Sequence, residues 1–183
     1  MIEHMMHGRV REASRLASET MALVESIGIP TLTVGLSLAA ISTKLPVGEM
    51  AEVLRWSQTV VELAGRDPAM GNVVFGSPLA VARASRGTAQ WALGRAGWRE
   101  DYDRALAMAR GGGPMSHAVV IAFAYGFAIA GGVLLADDTA LRDTEEALAS
   151  TERSSEDFAL GLAQWALGMA LVHRDSPAAR CWS

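Results

Sequence analysis

Apolar residues recur every three or four positions along most of the chain, whereas alternation with a period of two never lasts more than a few residues. This spacing is typical of amphipathic α-helices and leaves no candidate strand. The first apolar stripe predicts a helix from about Arg9 to Ser26, which Gly28 and Pro30 end. The members of that stripe are Leu16, Ala17, Met21, Val24 and Ile27.

Seven further helices are predicted between breaks that glycine and proline mark. Their ranges are 31–43, 48–64, 78–95, 100–110, 115–130, 138–151 and 155–173. Ser77 and Pro78 form an N-cap followed by proline at the first helical position. Ser154 and Asp157 form a capping box for the last helix. The pattern therefore predicts an all-α fold of about eight helices with short connections.

One six-residue segment, Ala-Gln-Trp-Ala-Leu-Gly, occurs at 89–94 and again 74 residues later at 163–168. Two units of about 37 residues fit this offset, slightly longer than the tetratricopeptide (TPR) unit of about 34. An intermediate copy falls near 122–131, where Tyr125 takes the aromatic position. Small residues on the first helix of a pair let the second approach, and the aromatic fills the gap to the next unit. We therefore predict a TPR-like α-α superhelix of antiparallel helix pairs.

The predicted units are 31–64, 78–110, 115–151 and a half-unit from Ser155. The whole chain, 1–183, is expected to be one domain, with a disordered start at 1–8, helical repeats over 9–173 and an irregular tail at 174–183. It begins with a second helix and ends after a first helix, without evident polar capping helices. We therefore expect a fragment of a longer solenoid that can associate with itself through uncovered faces.

Composition and charge narrow the function classes. Half of the residues are apolar and a fifth are charged, which excludes an intrinsically disordered chain. A net charge of −4 disfavours direct nucleic-acid binding by bulk electrostatics. Cys181 is the single cysteine, which excludes an intramolecular disulfide and a multi-cysteine zinc site.

Membrane association remains an alternative because residues 118–136 carry no charge. Gly131 and Gly132 leave a helix of about 16 residues there, about 24 Å long, whereas a hydrocarbon core is about 30 Å thick. We therefore favour a buried helix in the interior of the domain. The N-terminus has no apolar segment of the kind found in secretory signals, so a cytoplasmic location is expected.

Three stretches of the chain carry a family resemblance: Thr33–Ala40, Gly48–Gln58, and Gly76–Ala82 with Arg86-Gly87 following. They resemble the C-terminal helical region of large mycobacterial regulators. Those regulators join a class III adenylate/guanylate cyclase domain, a P-loop ATPase of the signal-transducing type and a TPR-like array, with a LuxR-type DNA-binding domain in some relatives. The resemblance covers about Arg11 to His173. It implies a non-catalytic module whose partner is a protein, a peptide, or the adjacent cyclase and ATPase domains.

Catalytic motifs of that family are not found in this sequence. Lys44 is followed by Leu45 and lacks the glycine-rich loop that cradles phosphates. Asp137 and Asp138 lie between predicted helices and not on the sheet that a cyclase needs. A nucleophile elbow, Gly-x-Ser-x-Gly, is also missing. No catalytic residue and no cofactor are therefore expected, and an enzyme, either a cyclase or an unrecognised hydrolase, is the second hypothesis.

Several groups of polar residues are candidate metal or ligand sites. His4 and His7 have a spacing that could hold a metal, but we interpret them as disordered surface residues. His117 and His173 lack a second ligand at zinc spacing, so no metal is expected. The turn 111–113 has no following Lys or Ser/Thr for phosphate. One acidic cluster is interpreted as an N-cap and a solvated helix face: Asp137, Asp138, Asp143, Glu145 and Glu146.

Partner contacts are expected on a concave surface that side chains of the first helices line. The candidates there are Arg83, Arg86 and Gln90, which are expected to be exposed, so that their substitution weakens partner binding without unfolding. Trp98, beside Arg99 in a turn, is the fourth candidate. The other tryptophans considered are expected to serve core or inter-repeat packing: Trp56, Trp91 and Trp165.

Overall fold

The computed structural model describes residues 8–65, 70, 76–154 and 156–174. Within these residues the fold is all-helical, with eight helices and no strand, as the apolar spacing predicts. The helices are α1 (Val10–Ile27), α2 (Pro30–Lys44), α3 (Met50–Ala64), α4 (Pro78–Ala92), α5 (Trp98–Ala109), α6 (Gly113–Ala130), α7 (Asp138–Glu152) and α8 (Asp157–Arg174). A 3-10 turn, Leu45–Val47, follows α2. The expected disordered start up to residue 7 and the tail from residue 175 lie outside the described residues.

Side-chain caps begin two of the helices. Ser77 caps α4 as predicted: its Oγ accepts a hydrogen bond from the Ala80 N–H at 3.4 Å, and Pro78 is the first helical residue. Asp137 caps α7 through the Ala140 N–H at 2.8 Å. The capping box predicted for the last helix is wrong. Since α8 starts only at Asp157, Ser154 lies too far before it, and its Oγ donates instead to the Thr151 carbonyl at 2.9 Å.

Each helix packs against the next one along the chain. A second set of contacts joins α2 to α4, α4 to α6 and α6 to α8. In the described part of the chain no comparable contact joins α3 to α5 or α5 to α7. The helices predicted to be the first of each pair therefore form one connected row, and the second helices lie beside that row.

Helix α6 connects the two halves of the core. Val120 and Phe123 pack into the larger apolar cluster, which reaches from α1 to α6, whereas Ile121 and Tyr125 pack into the cluster around α7 and α8. This helix is the only described one that is long and apolar enough to cross a membrane, and 72% of it is buried by the rest of the chain. Such burial is typical of a core helix, which the sequence favoured.

The two copies of the repeated segment both pack against α6. An added Cβ at Gly131 would lie 2.8 Å from Cη2 of Trp91, and one at Gly126 would overlap the ring of Trp165. The two glycines leave room for the two rings, which confirms the packing role predicted for Trp91 and Trp165. Trp56, only 1% exposed, lies in the core as predicted.

Among the described residues, large apolar side chains that stay exposed are concentrated at the two ends of the row of helices. On α1, on α2 and between them they are Leu23, Ile27, Ile29 and Leu32. On α8 they are Phe158, Trp165, Leu171 and Val172.

Candidate functional site

An apolar pocket of about 230 Å³ opens between α2, α6 and α8. The 3-10 turn contributes Leu45 and Pro46, α6 contributes Phe123 and Phe127, and α8 contributes Phe158 and Leu162. Three of the chain's four phenylalanines therefore meet at one place. Ser42 of α2 is the hydroxyl-bearing residue in the lining, and its Oγ donates to the Leu38 carbonyl at 3.0 Å. A ligand in this pocket would meet carbon atoms almost exclusively.

A π-helical segment of α6, Ala122–Phe127, forms one wall of the pocket. Such segments widen a helix by one residue per turn and occur frequently at functional sites. Here the segment carries Phe123 and Phe127, whose ring centroids are 5.6 Å apart at an interplanar angle of 46°. Phe127 also packs against Trp165, with centroids 4.9 Å apart. The wall is therefore a continuous aromatic surface that extends from α6 to α8.

Gly126 keeps this aromatic wall in place, because its missing side chain is the space that the Trp165 ring occupies. We expect Gly126→Ala to lower the free energy of unfolding by about 1–3 kcal/mol, as over-packing of a filled core does. Gly35→Ala is the matched control: Gly35 is a helical glycine with nothing within 4 Å of an added Cβ. Urea denaturation should show it unchanged or stabilised by up to about 1 kcal/mol. Equal stability of the two variants would contradict the packing described here.

The predicted contact residues Arg83 and Arg86 lie beneath α5 and are not a free surface. Arg86 holds Asp101 with two hydrogen bonds, Nε to Oδ2 at 2.7 Å and Nη2 to Oδ1 at 2.6 Å, and Arg83 Nη1 reaches Oδ1 at 3.2 Å. The two arginine side chains are 16% and 22% exposed, and that of Asp101 is 5% exposed. The expectation that they are exposed is therefore wrong, because α5 covers this face of α4.

Gln90 is also half-buried, and its Oε1 is buried without a hydrogen-bond partner. Next to it Tyr102 connects α5 to α4: its hydroxyl accepts a hydrogen bond from Trp91 Nε1 at 2.7 Å and pairs with Thr88 Oγ1 at 2.9 Å. Burial raises the pKa of Tyr102 to about 12, against the opposite effect of its hydrogen bonds with Thr88 and Trp91. The surface between α4 and α5 is thus a packed interface within the chain.

Trp98 is the first residue of α5 and does not lie in a turn, and it is half-buried instead of exposed. Its ring packs edge-on against Tyr102 at 5.8 Å, and the Arg99 guanidinium stacks over it at 4.3 Å. A second cavity of about 210 Å³ lies here, with Tyr125 and Leu134 on its other side. Trp98 is therefore a predicted contact residue that borders a cavity.

Lys44 is the centre of a polar cluster. The sequence alone identifies this residue only as a lysine that lacks a phosphate-binding loop. Its Nζ donates to Ser14 and Ser18 of α1 at 2.9 and 2.8 Å, and pairs with Glu49 and Glu52 at 2.6 and 2.7 Å. Burial alone would lower the pKa of Lys44, but the hydrogen bonds and charges of the two glutamates outweigh it and raise that pKa. Hydrogen bonds from Lys44 and Ser14 lower the pKa of Glu49. The cluster connects α1, α2 and the start of α3.

The acidic cluster on α7 is only partly the solvated face that was predicted. Asp137 is an N-cap, as predicted, but Asp143 is buried and accepts a hydrogen bond from the Tyr125 hydroxyl at 2.9 Å. Burial and the neighbouring Asp143 carboxylate raise the pKa of Tyr125. Burial lowers the pKa of His117, which is 6% exposed at the start of α6.

No group of three or more His, Cys, Asp or Glu side chains that could hold a metal occurs across the described ranges. His4 and His7, the pair with possible ligand spacing, lie outside these ranges.

Comparison with known proteins gives no relative: no family model, no curated protein and no solved structure matches this chain. The geometry of the pockets and polar clusters is therefore the basis for any assignment of function.

Proposed function

We propose that this chain is a non-catalytic binding module built of TPR-like helix pairs. It binds an apolar group of a peptide or of a small effector in the pocket between α2, α6 and α8. The observation that carries the proposal is the pocket itself, where three phenylalanines and two leucines converge without a charged side chain. Binding there works by burial of apolar surface, and no group in the lining is placed for acid, base or nucleophilic chemistry.

The order of helix packing supports the TPR-like arrangement. In a superhelix of helix pairs the first helices contact one another and line the inner surface. Here α2, α4, α6 and α8 make such a row, and three of them contribute to the pocket. The repeated segment occupies α4 and α8, two first helices, and its tryptophan contacts α6 in both copies. The pocket thus lies among the helices that the proposal assigns to the concave surface.

The chemistry of the pocket defines the ligand group. A cavity of about 230 Å³ fits a branched alkyl chain or an aromatic group up to the size of N-phenyl-1-naphthylamine. Phe158 is 58% exposed at its mouth and would lose contact with water when the pocket is filled. Each Å² of apolar surface removed from water contributes about 25 cal/mol to binding. A phenylalanine, leucine or tryptophan side chain of a peptide satisfies these requirements.

The resemblance of 33–40, 48–58 and 76–82 to cyclase–ATPase regulators gives this binding a use. In such a parent, in the cytoplasm, an occupied pocket would shift the equilibrium between two arrangements of the packed repeats. The adjacent ATPase or cyclase domain would respond to that shift. A ligand can bias the equilibrium only by its difference in affinity for the two arrangements. The isolated chain is therefore expected to bind without turning over a substrate.

Filling the pocket should weaken the binding of an apolar probe. The probe is N-phenyl-1-naphthylamine, whose fluorescence rises when it leaves water. We expect Ser42→Trp to weaken its binding about tenfold or more, since the indole occupies the cavity and about 1.4 kcal/mol corresponds to a factor of ten. Thr59→Trp on α3 is the matched control, because Thr59 Oγ1 likewise donates to the carbonyl four residues earlier, at 3.2 Å. The control should bind the probe like the unmodified chain.

Two results of this titration would contradict the proposal. The first is equal affinity of the Ser42→Trp and Thr59→Trp variants for the probe, which would place the probe elsewhere. The second is the lack of saturable binding by the unmodified chain. Circular dichroism melting of both variants separates a blocked pocket from a loss of fold.

A further inference from the structure

The sequence repeated in α4 and α8 is longer than six residues, because a glycine precedes both copies at the same distance. Residues 87–94 and 161–168 are identical except at their second position, Thr88 in one copy and Leu162 in the other. Each copy belongs to the first helix of a predicted helix pair. The surroundings of the two copies differ, since α5 covers α4 and no described helix covers the corresponding face of α8.

In the first copy, α5 is seated on α4 through Gly87. An added Cβ there would lie 2.8 Å from Cδ1 and Cε1 of Tyr102, and 3.1 Å from the Trp98 carbonyl oxygen. The ring of Tyr102 therefore rests directly on the α4 backbone. Its hydroxyl then accepts the hydrogen bond from Trp91, while Ala105 of α5 is completely buried. A glycine, a tryptophan N–H and a covering aromatic ring together define this helix-docking surface.

In the second copy no described helix covers the same surface. Gly161 is exposed, and an added Cβ would have nothing within 4 Å. Gln164 is exposed, whereas its counterpart Gln90 is half-buried with a buried Oε1. Trp165 is 37% exposed, and its Nε1 makes no hydrogen bond to any described residue. Leu171, one helical turn beyond the copy, is also exposed.

Charge at this surface of α8 is opposite to that at the covered surface of α4. The position of Arg83, which binds Asp101 of α5, is taken on α8 by Asp157, and that of Arg86 is taken by Leu160. Asp157 is exposed at the first position of α8. A helix that docks on α8 as α5 docks on α4 would therefore need a basic residue where α5 has Asp101.

We propose that the exposed face of α8 binds an α-helix of a partner protein. This helix presents a tyrosine or tryptophan to Gly161 and a lysine or arginine, one position earlier, to Asp157. Small residues follow three and seven positions after the aromatic, as Ala105 and Ala109 follow Tyr102 in α5. The proposal rests on Asp157, Gly161 and Gln164, none of which lines the apolar pocket, whereas Phe158 and Leu162 of the same helix do.

The peptide probe is derived from α5 of this chain. A fluorescein-labelled peptide with the sequence of residues 97–110, carrying Asp101→Arg, is titrated with the intact chain and followed by anisotropy. We expect saturable binding that weakens about tenfold or more when the peptide also carries Tyr102→Ala, as for a central aromatic anchor. We expect a similar loss for the Gly161→Leu chain, where the new side chain fills the seat of the aromatic ring. Gly35→Leu, another helical glycine in open space, should leave the affinity unchanged.

A charge exchange gives a second, independent test. The Asp157→Arg chain should prefer the peptide with the natural Asp101 over the Asp101→Arg peptide, reversing the order seen with the unmodified chain. Three results would overturn the proposal. The Asp157→Arg chain could keep the preference of the unmodified chain, the peptide could bind the Gly161→Leu chain as tightly as the unmodified chain, or the unmodified chain could show no binding up to about 1 mM peptide. Sedimentation would identify the remaining occupant. A dimer of the chain that Gly161→Leu dissociates would assign the face to a second copy and overturn the assignment to a partner helix.

Discussion

Replacement of both Glu49 and Glu52 by glutamine is expected to lower the free energy of unfolding by about 3–5 kcal/mol. The reason is the ammonium group of Lys44, whose side chain is only 2% exposed and which these two carboxylates neutralise at 2.6 and 2.7 Å. Without their charges the buried ammonium group would have only neutral partners: the glutamine amide oxygens, the Ser14 and Ser18 hydroxyls and the face of the Trp56 ring, 5.6 Å away. Neutral hydroxyls do not compensate a buried charge.

The matched control replaces two glutamates of exposed ion pairs, Glu19→Gln and Glu100→Gln, which face Arg15 and Arg104 one helical turn away. Exposed pairs of this kind contribute at most about 1 kcal/mol. Urea denaturation of both double variants, followed by circular dichroism, compares the two losses. Equal losses would show that the Lys44 cluster does not hold α1, α2 and α3 together.

The same cluster determines a pH dependence. The pKa of Glu49 is lowered in the folded chain from its ordinary value of 4.5, so its contribution to stability is present above that value. This contribution is lost as the pH falls through the lowered pKa, because a protonated Glu49 no longer neutralises Lys44. The variant with both substitutions should therefore lose less stability on acidification than the natural chain.

The second large effect is expected at Asp101, where Asp101→Asn should lower the free energy of unfolding by about 3 kcal/mol. Asparagine preserves the shape but removes the charge that holds Arg83 and Arg86 beneath α5. Two guanidinium groups would then remain largely buried without a carboxylate. Because Asp101 lies one residue before Tyr102, the seat of α5 on α4 should loosen and the fluorescence of Trp98 should change.

Asp103→Asn provides the control, because Asp103 is an exposed residue of the same helix. Its substitution should change stability by no more than about 0.5 kcal/mol. The Arg86→Ala variant should also lose stability. The Asp101→Asn/Arg86→Ala double variant should lose less stability than the sum of the two single losses, since both substitutions remove the same interaction. Additive losses, or an Asp101→Asn chain as stable as the Asp103→Asn chain, would contradict the described ion pairs.

The sequence predicted those features of the fold that depend on local order along the chain. The helix ranges follow from apolar spacing, and the cap at Ser77 follows from a hydroxyl before Pro78. The ends of the helices are confirmed within about three residues, and the cap at Ser77 is confirmed. The repeated segment also identified Trp91 and Trp165 as packing residues, since a tryptophan among small residues needs a neighbouring surface. Each of these inferences depends on the residues of a single helix, or on the comparison of two helices that carry the same segment.

The polar interactions could not be predicted, because each depends on how a distant helix is seated. Arg83 and Arg86 have the spacing of a solvated charged face, and only the position of α5 places Asp101 against them. Lys44 and Glu49 are five residues apart, outside ordinary helical pair spacing, and the 3-10 turn at Leu45–Val47 brings them together. Ser14 joins them from α1, thirty residues earlier than Lys44.

The pocket was partly visible in the sequence. Phe123 and Phe127 are four residues apart and predict a shared face on one helix. Their wall also needs Phe158 from α8, and this contact follows from the packing of α8 on α6, not from spacing. The π-helical segment gives no sequence signal of its own, because Ala, Gly and Phe are compatible with an ordinary helix as well.

Binding of an apolar group in the pocket between α2, α6 and α8 is tested most directly by methyl NMR of the intact chain during titration with N-phenyl-1-naphthylamine. The proposed function predicts saturable chemical-shift changes at Leu45, Val119 and Leu162, whose methyl groups line the pocket. Leu93 and Leu135, which are exposed elsewhere at 40% and 63%, should keep their shifts. Changes that centre on Leu93 or Leu135, or that stay equal across all exposed methyl groups, would contradict a binding site between α2, α6 and α8.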